Sequence, residues 1–244
     1  PRCWNDYCPK NFGDKYMGEV SLSDAFKNSL NTIAVELLDK VGFDQVISTA
    51  NKLGIGNKNK LGRYYPLAIG AYEQTVLEMT AAYAGITNRG FYIKPTPFEE
   101  IRGPKNILLW KYSLHNPKGS QALKTPVADT MNWMLREVVR NGTGKVAHLK
   151  NRQVAGKTGT SEGGRDLWFI GSIPQLSTGV WLGFDNNKKT NMGSGESAWI
   201  WKQFMLRIEE DFQRINFPEK PNLETLPKTY FEEIMEPKNR PWGI

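Results

Sequence analysis

Residues 153–184 constrain the fold more than any other part of the chain. Three segments, "QVAGKTGT", "DLWFIGSI" and "TGVWLGF", follow one another with only short connections between them. Aromatic and β-branched residues dominate the second and third, as expected of strands. A parallel pair would need a crossover of roughly a dozen or more residues, which is absent here, so the spacing predicts an antiparallel meander. The second and third segments carry apolar residues at consecutive positions, so both faces of the sheet need cover.

The flanking segments supply that cover as helices. Residues 21–40, "SLSDAFKNSLNTIAVELLDK", read as two short helices broken at Ser29-Leu30-Asn31, because Ser and Asn bond to nearby backbone and favour caps and turns. "FDQVISTANKLGIG" continues as a helix ended by glycine. "EQTVLEMTAAYAGITNRG" is another, with Val76, Leu77, Met79, Tyr83 and Ile86 as its apolar side. Prolines and short apolar runs over 91–112 predict a hairpin. Thr125 is expected to cap a helix with Pro126 at its first position, and Val127, Met131, Met134, Leu135 and Val138 follow at helical spacing until Asn141-Gly142. "SAWIWKQFMLRIEEDF" is a last amphipathic helix. The fold class is therefore α/β of the α+β kind, a central antiparallel sheet covered by helices on both faces. Residues 1–216 are expected to form one domain, and 217–244 a proline-rich, charged linker or tail.

Apolar residues make up 39% of the chain and charged ones 23%, which suits a globular protein with a real core. The net charge of +7 is spread out, its tightest groups being "NKNK" at 57–60 and Lys188-Lys189. No arginine-rich arm, zinc-finger spacing or RNA-binding aromatic motif accompanies it, so nucleic acid is not an expected partner. No metal or other cofactor is expected: beyond Cys3 and Cys8, only His115 and His148 would suit zinc, both far off in sequence. The two cysteines, four residues between them, either close a small disulfide outside the cytoplasm or remain free thiols. No apolar run approaches the ~18 residues of a membrane span, and residues 1–20 are too polar for a signal peptide. The loop-like opening "PRCWNDYCPKNFGDKYMG" reads as part of something longer.

Gly156-Lys157-Thr158 invites a phosphate-loop reading, which the residues refuse. That motif needs a glycine where Asn151 stands, and a helix rather than a strand after the lysine. As a strand, the stretch puts Lys157 and Gly159 on one side and Thr158 and Thr160 on the other. Gly159 leaves room for an extended substrate beside the backbone, with two hydroxyls to hold a carboxylate and an ammonium in the cleft.

This lysine-threonine-glycine strand, with Ser29-x-Asn31 upstream at a helix turn, carries two of the three motifs of the serine penicillin-recognising enzymes. "WNDYCPKNFGDKYMGEVSLSDAFKNSLNTIAVELLDKVG", "EQTVLEMTAAYAGITNRG", "VVRNGTG", "VAGKTGTSEGGRDLWFIGSIP" and "GVWLGFD" resemble, in order, the transpeptidase domain of a class A, bifunctional penicillin-binding protein. The resemblance covers most of residues 4–207.

It implies a D,D-transpeptidase that cross-links peptidoglycan stem peptides through a serine acyl-enzyme, is trapped by β-lactams, and works at the extracytoplasmic face of the bacterial inner membrane. Such proteins usually carry a membrane anchor and an N-terminal glycosyltransferase domain. On this resemblance Ser29, Asn31 and Lys157 are catalytic: Ser29 relays protons, Asn31 bonds the substrate amide, and Lys157 supplies positive potential. Thr158, Gly159 and Thr160 bind substrate, the two hydroxyls taking its carboxylate and the Thr160 N–H an oxyanion. One departure stands out, since no serine here has a lysine three positions later. The S-x-x-K nucleophile motif is expected upstream of Ser29, in a segment absent from the sequence, and the chain alone is expected to be inactive. A serine β-lactamase and a catalytically inactive cell-wall binding or scaffold module are the alternatives.

Overall fold

Strand pairing dictates the centre of the molecule. The computed structural model describes residues 2–56, 60–115 and 119–225. Short helices come first: α1 (Leu22–Lys27), α2 (Asn31–Val41), α3 (Phe43–Lys52) and α4 (Val76–Thr87). Then come β1 (Phe91–Tyr92), β2 (Glu100–Arg102), β3 (Leu108–Lys111), α5 (Tyr112–His115), β4 (Ser120–Gln121) and the long α6 (Thr125–Asn141). The chain next lays down β5 (Ala155–Thr160), β6 (Asp166–Ile173) and β7 (Leu176–Gly183), and α7 (Ser194–Ile208) closes the fold. The last three strands form the expected antiparallel meander in the order β5-β6-β7, with Lys157 opposite Ile170 and Thr158 opposite Phe169. Helices α4 and α6 contact the sheet, as does α7, so the sheet is covered as expected.

The core follows from the alternation of β6. Phe169 and Ile173 are fully buried and pack with Trp201 and Met205 of α7, the Phe169 and Trp201 rings meeting edge-on at 5.4 Å. Trp201 lies close because Gly171 has no side chain: a Cβ there would sit 2.6 Å from both rings. Its indole N–H donates to the Gly171 carbonyl at 3.2 Å, as a buried Trp requires. Arg152 then fixes where β5 begins. Its guanidinium donates to the carbonyls of Glu209, Phe212 and Gln213, tying the segment just beyond α7 to the start of β5.

Several expectations need correction. Leu77 is 62% exposed and lies outside the buried side of α4, which is built from Ala82 and Gly85. On its other side α4 lies close to β7 because Gly179 has no side chain: a Cβ there would meet Thr80 Oγ1 at 2.2 Å. Thr125 is the first helical residue of α6 and caps nothing; Lys124 occupies the cap position, and Pro126 still falls in the first turn, where its missing N–H is harmless. The hairpin is β2 with β3, while β1 pairs with β4 across the whole excursion. Phe217, the first residue of the expected tail, is buried against Leu135 and Ala155, and its N–H donates to Gln153 Oε1 at 3.0 Å. Lys220 lies over the Trp133 ring at 4.4 Å, so packing continues past 216. A single apolar anchor among prolines and charges hides this in the sequence. The rest of the tail, 226–244, and most of "NKNK" lie outside the described residues.

Cys3 and Cys8 are joined as a disulfide. The loop they close seats Trp4, which is buried, against Tyr65. Among the described residues no helix is long and apolar enough to cross a membrane. Trp201→Ala should cost about 3–5 kcal/mol of unfolding free energy, as loss of a buried aromatic does; denaturant unfolding with an unchanged midpoint would contradict this placement of the core.

Candidate active site

Helix α1 ends in a way that throws Ser29 outward. The N–H of Ser29 donates to Phe26 O at 3.1 Å and that of Leu30 to Ala25 O at 3.0 Å, the paired bonds of a Schellman motif. Such a motif needs a left-handed residue at its turn, usually glycine. Here it is Ser29, at φ 55°. A β-carbon in this region costs about 1–2 kcal/mol, and the side chain held there is an exposed hydroxyl.

Lys157 meets it from the sheet. Its Nζ donates to Ser29 Oγ at 2.8 Å and to its neighbour's carbonyl, Thr158 O, at 3.0 Å, joining residues 128 positions apart. Among the described residues no carboxylate pairs with this ammonium. Burial alone pushes its pKa down from 10.5 to about 8. At neutral pH the group still carries its proton, so it donates to Ser29 and projects positive potential around that hydroxyl.

Asn31 is the first residue of α2, next to the Ser29 turn. Its amide Nδ2 donates to Lys10 O at 2.7 Å, which leaves Oδ1 for another donor. The N-terminus of α2 is capped from a distance: Asn11, buried, accepts from Thr32 N–H at 3.1 Å and from Thr32 Oγ1 at 3.2 Å. Neither Lys10 nor Asn11 was legible as part of this neighbourhood, because their partners lie 21 residues on.

The other strand residues divide as alternation requires. Thr158 is buried on the face opposite Lys157, and its Oγ1 lies 2.6 Å from Thr143 Oγ1. Gly159 stands opposite Trp168, whose Cβ would be 3.2 Å from any Cβ at that position. Thr160 is exposed at the end of β5. β5 is an edge of its sheet, so its outer row of backbone groups is open to an extended ligand. The structure thus brings Ser29 and Lys157 into contact and puts Asn31 two residues on, at the start of α2, with its amide bonded to Lys10 O. It puts Thr158 on Thr143, a residue to which sequence reasoning gave no role although "VVRNGTG" contains it.

Two measurements follow from this geometry. Ser29→Gly relieves the left-handed strain and should raise stability by about 1 kcal/mol; a lowered melting temperature would contradict it. For Lys157, the folded state releases its proton near pH 8 and the unfolded chain near 10.5. Between those values the unfolded chain binds more protons, so wild-type stability should rise with pH. Lys157→Met should lose that rise, and parallel pH profiles for the two proteins would show that the lysine is not desolvated.

Comparison with known proteins is consistent across sequence and structure. Residues 2–206 match the penicillin binding protein transpeptidase domain. Penicillin-binding protein 1A of Aquifex aeolicus is 38% identical over 221 residues, covering 87% of this chain and 30% of that protein. Penicillin-binding protein 1B of Vibrio cholerae is 32% identical over 222 residues, covering 89% and 27%. The penicillin-binding protein PonA1 from Mycobacterium tuberculosis superposes with a TM-score of 0.81 at 24% identity, over 91% of this chain and 64% of that one. PonA1 in complex with penicillin V gives a TM-score of 0.77 at 25% identity, over 87% and 62%. This chain spans 30% or less of the length of these two curated relatives. With most of its residues in that domain and relatives of the 1A and 1B type, the chain belongs to the penicillin-binding protein transpeptidase family, in its class A branch.

Proposed function

We propose that this chain forms the substrate-orienting part of a D,D-transpeptidase site, completed by an S-x-x-K segment outside the present sequence. The 2.8 Å contact between Lys157 Nζ and Ser29 Oγ carries this reading. It sets a cation on a hydroxyl beside an open strand edge, a layout suited to moving a proton next to a bound peptide.

In the reaction, the serine oxygen of S-x-x-K bonds to the penultimate D-alanine carbonyl of a stem peptide, and the terminal D-alanine leaves with a proton. An amine of a neighbouring stem peptide then takes the acyl group and releases the serine. Ser29 relays the proton between the S-x-x-K lysine and the departing or entering nitrogen. Lys157, by its charge, favours the neutral form of that second lysine. Asn31 offers Oδ1 to a substrate N–H. Thr158 and Thr160 take the terminal carboxylate, and the Thr160 N–H serves the oxyanion.

β-Lactams would enter the same cleft and stay on the serine; penicillin V bound to PonA1 supports this by kinship. The Cys3–Cys8 disulfide supports work outside the reducing cytoplasm. There the complete protein would be held at the membrane beside an N-terminal glycosyltransferase domain, with peptidoglycan stem peptides as partners.

Fluorescent penicillin tests the proposal. Protein that includes the S-x-x-K segment should be labelled covalently, Lys157→Ala should slow labelling by about 100-fold or more, and residues 1–244 alone should take no label. Equal labelling of wild type and Lys157→Ala would overturn the role of Lys157. An unlabelled complete protein would favour the inactive wall-binding module, and an acyl-enzyme that hydrolyses quickly would favour a β-lactamase.

A further inference from the structure

The end of α1 has four carbonyls to satisfy, and the chain around Ser29 satisfies three. Asp24 O accepts from Asn28 N–H at 3.1 Å, Phe26 O from Ser29 N–H and Ala25 O from Leu30 N–H. Lys27 O remains, two residues before Ser29. Its donor comes from more than a hundred residues along the chain: the backbone N–H of Thr143, at 3.1 Å. The turn that delivers it is fixed in turn, because the N–H groups of Gly142 and Gly144 both donate to Val138 O at the end of α6. Gly142 makes the approach feasible, since a Cβ there would lie 2.3 Å from Lys27 O.

The same residue also reaches the sheet. Thr143 Oγ1 and Thr158 Oγ1 lie 2.6 Å apart, and Thr158 is buried and adjacent to Lys157. One bond between two hydroxyls fixes both side chains, yet leaves each with hydrogen-bonding capacity to spare. Thr143 therefore touches both walls of the cleft, by its backbone the helix end that carries Ser29 and by its side chain the strand that carries Lys157.

We infer that Thr143 is a positioning residue that sets the Ser29–Lys157 distance through Thr158, an inference that rests on the transpeptidase reading above. Removing its hydroxyl keeps the backbone bond to Lys27 but frees the Thr158 side chain, in a site where a shift of about 1 Å costs up to roughly 100-fold in rate.

The test is acylation by fluorescent penicillin of protein that includes the S-x-x-K segment. Thr143→Val, close in shape, should acylate about 10- to 100-fold more slowly while melting within a few degrees of wild type. Thr143→Ser, which keeps the hydroxyl, should stay within about threefold of wild type. In a Thr158→Val background Thr143→Val should add less than about twofold, because residues acting as one unit do not add. Should Thr143→Val fail to fold, Thr143→Ala makes the same comparison. Acylation of Thr143→Val at the wild-type rate, a Ser variant as slow as the Val variant, or losses that multiply in the double variant would each overturn the inference. Absence of labelling in wild type would instead overturn the transpeptidase reading, and this inference with it.

Discussion

Lys157 meets Ser29 where the last turn of α1 is held against the end of α6, and that hold is a matter of unsatisfied carbonyls. A helix of six residues leaves four terminal acceptors but has only two bonds within its own length, so its end must be completed from elsewhere. Here two bonds come from the following residues, one from the cap, and one from a turn more than a hundred residues later. The last is the one that converts a local helix ending into a tertiary joint. Without it, the Ser29 hydroxyl would be placed by a short helix alone, and helices this short have little stability of their own.

The sheet provides the other half of the joint by being stiff. Two-sided burial of β6, a tryptophan accommodated by Gly171 and an arginine tied to the end of α7 leave β5 little freedom at its base. β5 then carries Lys157 along a face set by pairing with Ile170. Because its ammonium is half-buried rather than solvated, its charge acts over a short range with little water to screen it. Fold and electrostatics are thus linked: the packing that positions the lysine is also what lowers its pKa.

Much of this is legible in the sequence where the signal is local. Short connections between apolar runs specify the meander, and the Ser29-Leu30-Asn31 break separates α1 from α2 as expected. What escapes is what depends on distant partners. Leu77 fits the helical period of α4, but the buried positions of that helix are the small Ala82 and Gly85, which pack toward Leu53 and Tyr92. Phe217 stands among prolines and charges, and only its packing against Leu135 and Ala155 reveals it as core. Asn11 and Thr143 are polar residues in loops, and the groups they complete, Thr32 for Asn11 and Lys27 and Thr158 for Thr143, all lie fifteen or more residues away in sequence. Whether Cys3 and Cys8 pair is likewise decided by the loop's seating and not by their spacing.

The open edge of β5 has a consequence for solubility as well as for recognition. An edge strand is a template for any extended chain, including another copy of itself, and a flat apolar one invites aggregation. β5 answers with a charge at its middle, glycines at Gly156 and Gly159 that weaken strand pairing, and only six residues of length. Any partner that adds to this edge must therefore bring its own compensation for a poor strand, such as an anionic end group to meet the lysine. The six residues that leave an edge open to pairing are thus the same ones that make it a poor template for a second copy of itself.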